Sequence, residues 1–74
     1  MADVPEIDAR GMRCPWPALR AARAMRTQDA VIVLADDPIA PGELAALSQQ
    51  NGWACVALDD ARGAAFRITR NQLS

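Results

Sequence analysis

The pattern of apolar and polar positions predicts four strands in this 74-residue chain. A short strand is expected around Ile7. The segment 30–35, AVIVLA, is a continuous apolar run rich in β-branched residues, which favours a buried strand. WACVALD at 53–59 predicts a third strand. AAFRIT at 64–69 alternates apolar and polar residues as a half-buried strand does, and the DARG turn before it predicts a hairpin.

Helical spacing appears first in the segment from Pro15 to Arg26. Its apolar positions fall on one stripe, formed by Ala18 or Leu19 together with Ala22 and Met25. Arginines at 20, 23 and 26 form a second row on a side that is expected to be more exposed. We therefore predict an amphipathic first helix with a basic outer side.

A second helix is expected to begin near Pro41, because proline suits the first helical position, with Glu43 in the first turn. Leu44 and Leu47 are predicted to face the core. The Asn-Gly pair at 51–52 is a typical helix end.

The resulting order βαβαββ predicts an α/β (α+β) two-layer sandwich, with two helices packed on one face of a four-stranded mixed sheet. Residues 1–74 are expected to form a single domain. The sheet face away from the helices is expected to be partly apolar, through Trp53 or Cys55.

Composition narrows the possible chemistry. The chain has no histidine, tyrosine or lysine, and its eight positive charges are all arginines. A Ser-His-Asp triad, a Cys-His pair, a histidine-based metal site and a lysine Schiff base are therefore excluded within this chain. Hydrophobic residues make up 51% of the sequence, which favours a packed core over disorder.

Charge and targeting signals narrow the partners. The net charge is −1, which argues against general polyanion binding, although residues 1–26 carry +2 and residues 27–74 carry −3. No stretch approaches the ~20 apolar residues of a membrane span, and the sequence MADVPEID lacks the pattern of a signal peptide. A cytoplasmic location is expected, where a disulfide between Cys14 and Cys55 is disfavoured.

The stretch MRCPWPALRAARAMR contains the residue with the most chemistry to offer. If Pro15 takes the first helical position, Cys14 becomes the N-cap and its sulfur lies at the positive end of the helix dipole, which lowers a thiol pKa. Arg13 is expected to add positive field, Pro15 and Pro17 to stiffen the turn, and Gly11 to adopt positive φ. We predict an activated, fixed thiolate at Cys14 without a base of its own.

Other residues have more modest expected roles. Cys55 lies in an apolar strand and is expected to be a core residue. Asp36 and Asp37 are expected to serve the turn and the helix cap rather than to form a catalytic pair. Trp16 is a candidate anchor for a partner protein or a packing residue. Arg20 and Arg23 either dock an acidic partner face or simply solvate the helix.

The loop and the turn after the second strand together resemble a known family. Asp8, Gly11, Cys14, Pro15 and Pro17 form a D-x-x-G-x-x-C-P-x-P loop. The acidic-Asp-Pro landmark of the same family appears as the turn ADDP at 35–38. With the βαβαββ order, this pattern is similar to that of the TusA-like (SirA-like) sulfur-carrier family, and the resemblance covers nearly the whole chain.

The resemblance implies that Cys14 carries sulfane sulfur as a transient persulfide, with no other cofactor and no metal. It implies a sulfur-donor protein, either a cysteine desulfurase or a rhodanese-like protein, and a sulfur-acceptor protein, with no membrane partner. The protein would act as a sulfurtransferase-type relay, rather than as an enzyme that turns over alone, in tRNA thiolation, sulfur oxidation or related sulfur metabolism. The RTQD connection at 26–29 lacks the glycine that is common in the family, and PGELAAL also departs from it, so the pathway stays open.

Two alternatives come from other classes of protein. The βαβαββ order and the basic first helix resemble an RNA-binding module, the C-terminal domain of bacterial translation initiation factor three, but the overall acidity argues against direct nucleic-acid binding. The second alternative is an adaptor or regulatory domain in which Cys14 is only part of a structural helix start.

Overall fold

Two helices cover one face of a four-stranded sheet in the computed structural model of the chain, which describes residues 4–70. The elements follow one another as β1 (Glu6–Asp8), α1 (Trp16–Ala24), β2 (Ala30–Leu34), α2 (Ala40–Asn51), β3 (Trp53–Asp60) and β4 (Gly63–Arg70). The predicted βαβαββ order and the two-layer architecture are confirmed. That residues 1–74 form a single domain stays a prediction.

The sheet is mixed, with strand order β1-β2-β4-β3. β1 runs parallel to β2, with Ile7 opposite Val33, because α1 crosses over between them. β4 pairs antiparallel with both β2 and β3 and therefore lies in the interior of the sheet. Phe66 of β4 lies between Val33 of β2 and Ala57 of β3, so one row of side chains runs across the strands toward the helices.

The core lies between the sheet and the helices. Pro17 and Ala21 of α1 are buried, as is Met25 at its C-terminal end, and the three are four residues apart. The predicted stripe is confirmed at Met25 and at Ala18, which packs against the core, but it is wrong at Ala22, which is only half-buried, and Leu19 is exposed. These buried residues follow the spacing i, i+4, i+8, so the row of side chains that contains Ala21 faces the core. The core cluster consists of Ala9, Ala21, Met25, Val31, Val33, Ala35, Ala40, Leu44, Phe66 and Ile68.

The second helix follows the sequence expectations closely. It begins one residue earlier than expected, so Pro41 occupies the second helical position. Leu44 is fully buried, and Leu47 packs against the core. Gly52 ends the helix with a left-handed conformation, φ 72°, which a glycine adopts without the cost that a side chain would impose.

The outer face of the sheet differs from the prediction. Trp53 and Cys55 pack against the core on the helix side. Because side chains alternate along a strand, the outward positions of β3 are instead occupied by residues such as Val56, whose exposed fraction is 44%. On the same face Arg62 joins Glu6 and Asp60 in ion pairs at 2.9 Å each.

Candidate functional site

The cysteine loop, residues 9–15, connects β1 to α1, and hydrogen bonds to the end of β2 and to the turn after it hold the loop in place. The N–H of Ala9 donates to the carbonyl of Leu34 at 2.8 Å, so the loop continues the pairing of β1 with β2. Gly11 adopts φ 82°, as predicted, and its N–H donates to Oδ1 of Asp36 at 2.9 Å. Asp36 lies two residues after the end of β2, so this hydrogen bond ties the loop to the turn that follows the strand.

The start of α1 differs from the expectation by one residue. The first helical i→i−4 bond runs from the N–H of Leu19 to the carbonyl of Pro15, at 3.0 Å, so Pro15 is the N-cap. The N–H of Trp16 donates to the carbonyl of Arg13 in the turn before it, at 2.9 Å. Cys14 therefore lies one residue outside the helix, joined to Pro15 by a cis peptide bond, and is not the N-cap.

Two carboxylates hold Cys14 in place. Its backbone N–H donates to Oδ2 of Asp37 at 2.6 Å, and the other oxygen of that carboxylate accepts from the N–H of Ile39 at 3.3 Å. Its Sγ lies 3.1 Å from Oε1 of Glu43, to which the thiol donates. Cys14 as a residue is half-buried. Cys14 is thus fixed through its backbone by the turn after β2 and through its sulfur by the first turn of α2.

These contacts overturn the predicted low thiol pKa. The hydrogen bond to Glu43 stabilises the protonated thiol and raises the pKa of Cys14, partial burial raises the pKa further, and the negative charges of Glu43 and Asp37 act in the same direction. The predicted low pKa rested on the helix dipole and Arg13, whereas two carboxylates from distant segments of the chain lie near the thiol and raise its pKa. Arg13 lies in an open groove of about 530 Å³ lined by Gly11, Met12, Arg13, Asp36, Asp37 and Pro38.

The three predicted docking residues lie together on one surface. Trp16 is 60% exposed and therefore does not pack into the core. With Arg20 and Arg23 it lines an open cavity of about 500 Å³, whose lining residues are Ile7, Trp16, Leu19, Arg20, Arg23 and Ala24. We call these six residues the α1 patch. Arg26 lies instead on a second cavity, beside Trp53 and Arg70, so the arginine row is split between two surfaces.

Comparison with known proteins identifies the family. The sequence matches the family described as Sulfurtransferase TusA over residues 5–70. This chain belongs to the TusA family. The loop and turn residues that carry the resemblance all lie within the matched range.

Individual relatives of this TusA-family chain agree with that result. Two curated proteins of Neisseria meningitidis, from serogroup A / serotype 4A and from serogroup B, are each named "putative sulfur carrier protein" and are 43% identical to this chain over 49 residues. The match spans 62% of this chain and 66% of the length of each relative. The crystal structure of a SirA-like protein from Desulfitobacterium hafniense matches with TM-score 0.80 and 27% identity, covering 93% of this chain and all of that one.

The second cysteine of this TusA-family chain has different surroundings. Cys55 lies on β3, half-buried against the core, and burial raises the pKa of its thiol. Ser48 of α2 faces it and donates its own hydroxyl to the carbonyl of Leu44 at 2.8 Å. Both cysteines are free thiols. This placement agrees with a packing role for Cys55.

The described part of the chain contains no group of three or more residues that could hold a metal ion. Within residues 4–70, no helix has the length and apolar character required to span a membrane. Asp36 and Asp37 bind backbone N–H groups, as expected of turn residues. The predicted cap role is wrong, because the N-cap of α2 is Ile39 and the helix has no side-chain cap hydrogen bond. The functional contact that sequence reasoning missed is Glu43, and its signal was only a lone glutamate in the first turn of α2.

Proposed function

We propose that this TusA-family chain carries sulfane sulfur as a persulfide on Cys14 and passes it from a donor protein to an acceptor protein. The observation that carries the proposal is the placement of Cys14: Asp37 binds its backbone N–H, and the residue, which is half-buried and so keeps some contact with solvent, lies in the loop directly before α1. A sulfur held in one direction, yet open to a reactant, suits a group that both receives and donates a sulfur atom.

The proposed loading step is a thiol–persulfide exchange in which atoms and electrons balance. The sulfur of Cys14 attacks the outer sulfur of a donor persulfide, R–S–SH, and the bond between the two donor sulfurs breaks. Cys14–SH and R–S–SH become Cys14–S–SH and R–SH, and the proton lost from Cys14 ends on the leaving thiolate. No external oxidant is required, and the proposed chemistry uses no cofactor other than the transient persulfide.

Unloading repeats the same exchange in the opposite sense. An acceptor thiolate attacks the outer sulfur on Cys14, the bond between that sulfur and Sγ breaks, and Cys14 leaves as a thiolate that takes up the proton lost by the acceptor thiol. Because the reaction begins and ends with one thiol and one persulfide, the chain acts as a relay between two proteins. Tight selection of a small substrate is not needed, which agrees with the open groove beside the loop.

The proposed donor is a cysteine desulfurase or a rhodanese-like protein. The α1 patch lies next to the cysteine loop and combines an exposed aromatic side chain with Arg20 and Arg23, which suits a donor whose docking face is acidic. tRNA thiolation, sulfur oxidation and related sulfur metabolism are the candidate pathways.

Intact-mass spectrometry tests the carrier chemistry. The reduced protein is incubated with inorganic polysulfide, beside the variants Cys14→Ser and Cys55→Ser. We expect a gain of one sulfur atom that reductant reverses, that is lost in Cys14→Ser and that is kept in Cys55→Ser. No gain, or a gain that depends on Cys55, would contradict the proposal.

A further inference from the structure

The contact between Cys14 and Glu43 joins residues 29 positions apart in the sequence. Sγ of Cys14 lies 3.1 Å from Oε1 of Glu43, within the range of a hydrogen bond from a thiol. Glu43 belongs to the first turn of α2, whereas Cys14 belongs to the loop before α1. The fold therefore brings a carboxylate to the sulfur by packing the starts of the two helices together.

A carboxylate in this position favours the thiol over the thiolate. An ordinary carboxyl group is about four pK units more acidic than an ordinary thiol, so a proton shared between them stays on sulfur. Asp37, in the loop between β2 and α2, adds a second negative charge, and its two oxygens already accept from backbone N–H groups. Arg13, which directly precedes Cys14 in the chain, is exposed to solvent.

We propose that Glu43 is a positioning and charge-selecting residue for Cys14: it holds the sulfur as a hydrogen-bonded thiol, and a reactant that brings a positive charge to Glu43 releases the thiolate. The use of this device in sulfur transfer rests on the proposed function. The cation pairs with the carboxylate, weakens its hydrogen bond to the thiol and cancels part of the negative field at sulfur. Anionic reactants meet the opposite effect.

The role of Glu43 implies a particular arrangement of charges on a matching donor protein. Its reactive sulfur is accompanied by a basic side chain that reaches Glu43, while its acidic surface meets Arg20 and Arg23. A negatively charged small persulfide reacts more slowly with the free protein, which limits loading outside the complex with the donor.

Simple disulfides test the device without any sulfane sulfur. Cys14 attacks a symmetric disulfide, RS–SR, and the products are the mixed disulfide Cys14–S–SR and one molecule of RSH. Three probes differ mainly in charge: cystamine is cationic, 2-hydroxyethyl disulfide is neutral and dithiodiglycolate is anionic. Second-order rates are measured by intact mass at low ionic strength, in a Cys55→Ser background so that only Cys14 reacts.

In the parent protein we expect cystamine to react fastest and dithiodiglycolate slowest, beyond their relative rates with a free thiol such as glutathione. Glu43→Gln should reduce the cystamine-to-dithiodiglycolate rate ratio by about fivefold, as one partly exposed ion pair would. With the neutral probe, the midpoint of the rate–pH profile should fall to lower pH in Glu43→Gln. The larger thiolate fraction at neutral pH outweighs the small loss of nucleophilicity.

Two further variants make the test specific. Asp29→Asn changes the net charge by the same amount as Glu43→Gln does. Because Asp29 precedes β2, at the opposite end of that strand from Asp37, this variant should leave the rate ratio unchanged. Glu43→Asp keeps the charge and should retain most of the selectivity, although the shorter side chain weakens the contact with sulfur.

The proposal is overturned if Glu43→Gln leaves both the rate ratio and the pH midpoint unchanged, or if Asp29→Asn alters them as much. Failure of polysulfide to load Cys14 even in Glu43→Gln, where the anion no longer meets the carboxylate, would contradict the carrier function and, with charge selectivity intact in the parent, leave the role of Glu43 standing. The reverse pattern would contradict only the role of Glu43.

Discussion

Asp37 binds the backbone of Cys14 and the start of α2 with the same carboxylate. Oδ2 accepts the N–H of Cys14 at 2.6 Å, and Oδ1 accepts the N–H of Ile39 at 3.3 Å. The carbonyl of Asp37 also accepts the N–H of Ala40, at 3.0 Å. The turn after β2 thus connects the cysteine loop to the helix that carries Glu43, so the position of the sulfur depends on one acidic side chain.

Replacing Asp37 with alanine should loosen the cysteine loop and weaken the start of α2 together. Removing a carboxylate that accepts two backbone N–H groups costs about 1–2 kcal/mol, and we expect the free energy of unfolding to fall by about that amount in urea denaturation. Amide exchange at Cys14 should accelerate well beyond the change that global unfolding explains, because its N–H loses its acceptor.

Asp37→Asn is the matched variant, since its amide oxygen can still accept one of the two hydrogen bonds. It should fall between the parent and Asp37→Ala in both measurements. Unchanged amide exchange at Cys14 in Asp37→Ala would show that the loop is held by other contacts, and would contradict the linking role of Asp37.

The sequence predicted the fold well because the fold depends on local patterns. The apolar run of β2, the alternation of β4 and the glycine at 52 are all signals that lie within one element. The errors are shifts of one position, as in α1, where Ala21 rather than Ala22 faces the core. In an alanine-rich segment, helical periodicity does not decide which of two neighbouring alanines faces the core. That depends on how the helix packs on the sheet.

The candidate site was predicted only as far as it is local. The cysteine, its prolines and Gly11 are consecutive or nearly so, and their pattern is recognisable in the sequence. The carboxylates that raise the pKa of the Cys14 thiol come from residues 37 and 43, beyond an entire helix and strand. Their approach to the sulfur depends on how the first turns of the two helices pack against each other. The periodicity of apolar residues in the sequence carries no information about this packing.

Acid should destabilise the protein through the ion pairs on the outer sheet face. Hydrogen bonds from Arg62 lower the pKa of Glu6 and lower the pKa of Asp60 to about 2. Hydrogen bonds from Arg10 lower the pKa of Asp8 to about 2 in the same way. Carboxylates with depressed pKa values stabilise the folded state above their unfolded values, about 4, and lose this contribution as pH falls toward 2. We therefore expect the melting temperature to fall between pH 4 and pH 2, by a modest amount because these ion pairs are exposed to solvent.

Arg62→Gln tests this assignment, because it removes the donor shared by Glu6 and Asp60. The variant should lose less stability between pH 4 and pH 2 than the parent does, and the difference should shrink at high salt. Arg26→Gln removes an exposed arginine near the end of α1, on the helix side of the sheet, and should retain the parent's acid response. An identical slope in Arg62→Gln would show that other carboxylates govern acid unfolding.

Arg70 should stabilise the end of α1. Its guanidinium donates to the carbonyls of Met25 and Gln28 and lies 5.7 Å from the centre of the Trp53 ring. A cation at a helix C-terminus and a cation–π contact each contribute about 0.5–1 kcal/mol. Arg70→Ala should therefore lower the free energy of unfolding by about 1–2 kcal/mol in urea, and Arg70→Lys by less. Equal losses in the two variants would contradict a role for the forked guanidinium.

The α1 patch should control transfer from a donor protein without affecting the reactivity of Cys14 itself. Reversing the charge of Arg20 and Arg23 to glutamate should slow sulfur transfer from a cysteine desulfurase by about five- to tenfold, because the attraction to an acidic docking face becomes repulsion. Reaction of Cys14 with the neutral 2-hydroxyethyl disulfide should stay within about twofold of the parent, because an uncharged reactant is not repelled by the reversed charges. Trp16→Ala should act in the same way while changing stability by only about 0.5 kcal/mol, as expected of an exposed side chain.

Arg26→Glu is the control for this experiment, since Arg26 lies on the same helix but lines the other cavity. It should leave transfer from the desulfurase unchanged. Equal slowing with the desulfurase and with the neutral disulfide would mean that Arg20 and Arg23 act on the cysteine rather than on docking. Equal slowing by Arg26→Glu would mean that overall charge, and not the α1 patch, governs the encounter with the donor.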